Sequence, residues 1–397
     1  MRPLAALALA SFATGTQSFV FGGLLDDIAR DLAITVGVAG QLASVYAVTV
    51  ALGAPLAAAL AGGLERRAVL VWALLAMAAA NLAAMLAPDF TALLALRIAA
   101  ALAACVITPL STAAAMAVVP AEQRGRAFAI VTGGITIALV LGVPMGSVVG
   151  AAFGWRASFA LATALVLAAA VALRLALPVL PAPPAAARRP LGESLRLRQV
   201  QAALAFTLLG FTAIFSVAAY LGPIATRTTG LAGAAIGGFQ AAVGLGAILG
   251  VILGGRIADR SPTSRAPAAI FLAMLLSLLA YTPLLVLGPQ LPVPAAATSL
   301  ALLALLGAGA LFTLIPLVQL RLASAAPQAG PVLFGLNGSM VFAGQGAGAL
   351  LGGVVADTLG YAAIGPAGAA VAALALLVVA ATATPRAGSS ATSRSRQ

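Results

Sequence analysis

One arginine inside an apolar run is the first residue that could do chemistry. Arg97 stands in Leu94-Ala95-Leu96-Arg97-Ile98, the one formal charge well inside a long uncharged stretch. A guanidinium there is costly in lipid, so it should face the protein interior or a water-filled cavity and bind an anionic or strongly dipolar group. Thr108 falls on nearly the same helical face, with Ser111 and Thr112 close by and Ala101 and Ala104 completing the stripe. The competing reading is snorkelling, since Arg97 lies about two turns from the end of its run. A second set comes from the first apolar run. There Ser11, Thr14, Ser18 and Gly22 share a face, Gln17 lies beside it, and Asp26 and Asp27 follow. Asp26 is the carboxylate best placed to take up and release a proton; desolvation would raise its pKa, and a guanidinium such as Arg97 would lower it. A third set is Phe206, Phe211, Thr212, Phe215, Ser216 and Tyr220, aromatics interleaved with hydroxyls, as suits a greasy pocket or ordinary helix packing. Gln240, Asn337 and Gln345 add uncharged polar groups that line a cavity or cross-link helices.

The missing residue types exclude most other chemistry. There is no histidine and no lysine, one cysteine (Cys105), and none of the acids lies deep in an apolar run. General acid–base catalysis and metal chemistry have almost no material, so no enzyme activity, cofactor or metal is expected. A disulfide within the chain is impossible.

The elements that position these residues follow from composition. The chain has 397 residues, 62% hydrophobic and 8% charged, far outside the soluble range. Its apolar runs are long enough to cross a bilayer. They read as twelve spans, at roughly 3–25, 39–61, 68–87, 91–118, 127–152 and 157–177, then roughly 199–222, 234–256, 267–287, 295–319, 332–356 and 362–384. The expected fold is therefore an all-α polytopic membrane protein: a six-helix bundle over 1–177, a Pro- and Arg-rich linker over 178–198, a second six-helix bundle over 199–384, and a disordered tail over 385–397. With the N-terminus inside, the alternate loops hold most of the arginines, while the opposite side keeps Arg30, Arg156 and Arg227. That bias puts both termini in the cytoplasm. The net charge of +12 then reports loops facing anionic lipid, not nucleic acid.

Gly142, Gly146 and Gly150, with Pro144 among them, make a bare, bent helical stripe suited to a pivot or seal, or simply to close packing. A second copy, Gly348-Ala349-Leu350-Leu351-Gly352-Gly353-Val354-Val355 and then Gly360-Tyr361, matches Gly142-Val143-Pro144-Met145-Gly146-Ser147-Val148-Val149 and then Gly154-Trp155. The match predicts a duplicated architecture. Two tight turns, one with Glu65-Arg66-Arg67 and one with Asp259-Arg260, could act as a cytoplasmic latch or be plain positive-inside loops.

These patterns resemble the major facilitator superfamily over nearly the whole chain. The 142–150 stripe with Pro144, ahead of Gly154-Trp155-Arg156, resembles the fifth-helix motif of its proton-driven antiporters. Pro120-Ala121-Glu122-Gln123-Arg124-Gly125-Arg126 resembles the loop before it, Arg97 the fourth-helix arginine motif, and the Gly255 to Arg260 turn the loop motif of helices two and three. More narrowly, the chain is similar to the bacterial arabinose-efflux and chloramphenicol-exporter branch of the twelve-span drug:proton antiporters. Departures are Ser18 where relatives often carry a glutamate, Ala103 and Cys105 for glycines after Arg97, and Glu65 and Ala61 in the first-half loop. The resemblance implies two pseudo-symmetric bundles, a central cavity lined by helices one, four, seven and ten, a monomer in the bacterial inner membrane, and export of a small molecule driven by a proton gradient. The expected cavity contacts are Gln17, Ser18, Arg97, Thr108, Phe211, Phe215, Tyr220, Gln240 and Asn337, with Asp26 and Arg97 as proton-coupling groups. An uptake symporter or facilitator of the same fold is the alternative.

Overall fold

The computed structural model describes residues 2–61, 64–180, 191–260, 266–326 and 330–382. Gly62 and Gly63, residues 181–190 of the expected linker and the expected disordered tail lie outside the described residues. Among the described residues, eleven helices are long and apolar enough to cross a membrane. The twelfth, α1 (Arg2–Phe19), has the length but carries Thr14, Thr16, Gln17 and Ser18 in its last turns. These make it the most polar of the twelve.

The others are α2 (Val36–Ala61), α3 (Arg66–Met85), α4 (Phe90–Ala117), α5, α6 (Trp155–Ala176), α7 (Arg198–Ala218), α8 (Ala235–Arg260), α9 (Ala266–Leu279), α10 (Val293–Ala325), α11 (Gly330–Thr358) and α12 (Ile364–Thr382). α5 runs in three pieces, Arg124–Ile137, a π-helical turn Ala138–Gly142, and Val143–Phe153. Pro144 has no N–H, so the preceding turn loses its regular bond and widens there.

The duplication read from the glycine motif extends to the packing. In the first half α1 packs on α5 and α6, α2 on α4, and α3 on α4 and α6. In the second half α7 packs on α11 and α12, α8 on α10, and α9 on α10 and α12. The halves meet where α2 crosses α11 and α5 crosses α8.

Two expected spans end early, and each does so beside glycine. The first was expected to continue to residue 25; α1 stops at Phe19, turns through Gly22, and a short helix Leu25–Asp31 follows. The seventh was expected to reach 222; α7 stops at Ala218 and a short helix Leu221–Thr229 follows, with Pro223 in its first turn, where proline's missing N–H costs nothing. Both breaks lie where the halves touch: a side chain at Gly222 would meet the backbone of Gly22 and Gly23 at about 3.2–3.3 Å. α9 breaks similarly at Ala280, before Tyr281–Leu287 and its Pro283.

Candidate functional site: a capped helix break and the closed face

The break in α1 creates a demand that Arg97 meets. A helix end leaves carbonyls without partners and carries partial negative charge. The Arg97 guanidinium donates to the carbonyls of Gln17 (3.2 Å) and Ser18 (3.0 Å). Its flat faces lie 4.6 Å from the Phe21 ring and 4.5 Å from the Tyr46 ring. Arg97 is only 1% exposed, so snorkelling to the headgroups does not describe it. Gln17 donates to Asn81 Oδ1 at 3.2 Å, tying the break to α3. Ser18 and Thr14 return their hydroxyls to their own helix backbone, at Thr14 and Ala10. Asn81 and Tyr46 had not been singled out from the sequence. The available signal was an Asn and a Tyr inside apolar runs.

The glycine stripes hold the broken helices. A methyl group on Gly142 would overlap the Thr16 hydroxyl, on Gly146 the Val20 carbonyl, and on Gly150 the Leu24 side chain. In the second copy, one on Gly348 would approach the Thr212 carbonyl to 2.6 Å, and one on Gly352 would overlap that of Ser216. Each stripe thus grips the broken helix of its own half, α1 or α7. Pro144 and the π-turn face the other half instead: Gly237 comes against Pro144, and Gly244 sits on the Val140 backbone.

Among the described residues, three polar ties across the halves lie toward the face opposite the chain termini. Arg227 donates to Asp26 at 3.4 Å and lies 3.9 Å over the Tyr361 ring. Thr35 donates to Asp357 Oδ2 at 2.7 Å. Ser147 donates to Gln240 Oε1, also at 2.7 Å. Beneath them Phe19 meets Phe215 (5.6 Å between ring centres), Phe215 stacks on Phe211 (5.9 Å), and Phe312 lies edge-on to Phe211. Also on that face, Arg156 and Trp155 both donate to Asp31 Oδ2. These bonds, Arg156 first, hold the Asp31 carboxyl below the ordinary carboxylate range.

The expected site residues therefore divide. Phe211 and Phe215 come together with Phe19 under the seal. Tyr220 is fully buried in the seal itself; its hydroxyl donates to the Ala349 carbonyl (2.9 Å) and fills the space left by Gly40 of α2. Gln240 joins the halves. Asn337 accepts from Thr207 at 2.7 Å within the second half, and Thr108 is half-buried on α4. Asp26 and Arg97 share no bond; the guanidinium beside Asp26 is Arg227. The four residues of the expected latch do not bridge the halves in this conformation. Glu65 caps α3, accepting from the backbone of Arg67, Ala68 and Leu180, while Arg66 donates to the Ala113 carbonyl of α4. Asp259 and Arg260 end α8 on an exposed edge.

Residues 7–333 match the family model described as Major Facilitator Superfamily. The chain is 37% identical over 268 residues to a chloramphenicol resistance protein of Streptomyces lividans, covering 66% of this chain and 67% of that one. It is 32% identical over 384 residues to the inner membrane transport protein YdhP of Escherichia coli K12, covering 95% of each. Among solved structures, a bacterial homologue of the human lysosomal transporter Spinster, inward-facing and occupied, superposes with a TM-score of 0.72 at 17% identity, over 96% of this chain and 93% of that one.

Proposed function

Because the chain belongs to the major facilitator superfamily, we propose that it exports small amphipathic molecules by alternating access, in exchange for protons. The observation that carries the reading is the placement of the cross-half ties. Asp26–Arg227, Thr35–Asp357 and Ser147–Gln240 all lie on the side away from the termini. A molecule tied there is closed on that face, so cargo reaches it from the terminus side, which the arginine bias assigns to the cytoplasm. Cargo entering from that side rests on Phe19, Phe211 and Phe215, below the seal. Thr108 and Ser18 supply polar contacts, and Arg97 acts through α1 by holding its broken end. The halves then rock against each other, with the 142–150 stripe keeping α1 and α5 together and the Pro144 turn sliding on α8.

The direction of export rests on the chloramphenicol resistance relative, and the inner membrane on YdhP. Proton exchange is assigned to Asp26: protonation removes its attraction to Arg227 and loosens the closed face. The experiment is efflux of a panel of dyes, antibiotics and sugars from cells carrying the wild type or Asp26→Asn, with and without a protonophore. Loss of efflux in both the variant and the protonophore arm is the expected result. Efflux that survives both overturns proton coupling through Asp26.

One observation favours the facilitator alternative. Every acid sits in a loop, in a short helix or at a helix end, so none lies in the membrane interior. Cargo that only equilibrates across sealed vesicles down its own gradient, with no accumulation when a proton gradient is imposed, would select that reading.

A further inference from the structure

We infer that Asp357 is a positioning residue for alternation: an acid of the second half that binds the capping threonine of a first-half helix and holds the outer face shut. The inference rests on the alternating-access reading above. Asp357 lies in the last turn of α11. Its carboxylate accepts the Thr35 hydroxyl at 2.7 Å, and that same hydroxyl accepts from the Val38 N–H at 3.1 Å, at the start of α2. A side chain on Gly37 would overlap the Asp357 carboxylate. The negative charge therefore sits beside the N-terminal end of a helix that belongs to the other half, where the helix end is partially positive, with Thr35 standing between the acid and the backbone N–H. When the outer face parts, the acid leaves that helix end and the interaction is lost.

The internal duplication supplies the control. Counted from the first glycine of each motif, Asp357 and Ala151 hold the same place. Their surroundings correspond too: Ala151 Cβ lies 3.4 Å from where a side chain on Gly233 would begin, just ahead of α8, as Asp357 lies against Gly37 at the start of α2. One of the two equivalent contacts between the halves thus carries an acid at the opposing helix end, and the other an alanine. Fold and packing need only the small contact; the charge is an addition on one side.

The acid is exposed, so solvent screens it and the effect is modest. A helix-end charge changes an equilibrium by about two- to fivefold. Two conformations of similar free energy need no more than that to shift their populations visibly.

The test places a cysteine at Phe215, beneath the seal, in the full-length protein in sealed vesicles. A membrane-impermeant thiol reagent is added on the side opposite the termini. The parent chain is the blank, because its one cysteine, Cys105, is buried. Asp357→Asn keeps an acceptor for Thr35 but removes the charge, and should label about two- to fivefold faster; Asp357→Ala should label at least as fast. Ala151→Asp, at an exposed position, installs the missing charge near the opposing helix end and should label more slowly. Wild-type labelling rates in both Asp357 variants overturn the inference, as does faster labelling in Ala151→Asp. Dye efflux by the wild type is measured in parallel. Efflux with unchanged labelling removes the inference and leaves the export reading; changed labelling without efflux does the reverse.

Discussion

Replacing Arg97 separates a residue that holds the fold from one that touches cargo. In the structure its guanidinium satisfies two carbonyls at the end of α1 and is enclosed by two rings. Arg97→Ala leaves both carbonyls buried without a donor, at roughly 1–3 kcal/mol each, and forfeits the stacking, roughly 2 kcal/mol when desolvated. Removing a buried charge recovers part of this, since the guanidinium was itself costly to bury. The balance is a loss of about 3 kcal/mol, within the range for breaking one side of a buried charged contact. Arg97→Lys keeps the charge, but an ammonium cannot span both carbonyls or stack as a plane, so it should recover about half. Cys105 makes the assay direct: it is the only thiol, it is buried, and a thiol-reactive dye reports its exposure as the protein in detergent is heated. The expected order of unfolding midpoints is wild type, Lys, Ala, with transport following the same order. A wild-type midpoint in Arg97→Ala together with lost transport would refute the argument and return Arg97 to direct contact with cargo.

Three further outcomes follow from the packing and the caps. Gly146→Val drives a branched side chain onto the Val20 carbonyl, which an added Cβ would already approach to 2.5 Å; it should cost about 1–3 kcal/mol in the same thermal assay, and more than Gly133→Val, where an added Cβ meets nothing within 4 Å. Glu65→Ala removes the cap of α3 and should cost about 0.5–2 kcal/mol while leaving the Phe215→Cys labelling rate unchanged; a changed rate would restore the latch reading. Asp31 has its pKa depressed from 3.8 by Arg156 and Trp155, so its contribution is fully present above the unfolded value and is lost as pH falls through the lower folded value. The midpoint difference between wild type and Asp31→Asn should therefore be flat from neutral pH to about pH 5 and shrink below about pH 4; a difference that grows on acidification would contradict the sign.

How much could be read from the sequence depended on whether the signal was local. Span positions and the six-plus-six order were legible because long apolar runs admit few other structures. The glycine motifs were legible as a repeat, and the close packing they imply is where they act. The partner each stripe grips was not written in it: Gly146 needs the backbone of Val20 to be near, and nothing local specifies that. The breaks in α1 and α7 escaped because hydropathy continues through Val20-Phe21 and Ala219-Tyr220. What stops those helices is the crossing of the two halves at Gly22, Gly23 and Gly222. Arg97 was legible as an interior charge, but its partners are main-chain carbonyls, which carry no residue signature. Asp26 was singled out as an acid, yet its partner Arg227 lies 201 residues away. Cys105, in place of an expected glycine, is matched across the helix pair: it sits against Gly53 of α2, so the small residue has moved to the other partner.

The same glycines suggest why the halves can part without dismantling either one. Side chains that interdigitate must change rotamer or leave cavities when surfaces separate, whereas bare backbone surfaces lose only contact area. At the crossings between the halves one side is repeatedly glycine: Gly37 and Gly40 of α2, Gly346 and Gly353 of α11, and Gly237 and Gly244 of α8. Tyr220 is the large side chain driven into this seal, and glycines on both sides of it leave a slot that it can vacate without displacing another side chain. Within each half, by contrast, the buried break at Arg97, the Gly146–Val20 contact and their counterparts along α7 and α11 are dense and partly polar, and each would cost several kcal/mol to open. The polar ties that cross between the halves are one partly exposed ion pair and two single hydrogen bonds, of about 1 kcal/mol each. On the proposed alternating-access reading, motion falls between the halves, where the polar ties are weaker than the buried polar contacts within either bundle. An acid such as Asp357, though screened, acts at the boundary where small energies decide which face is open.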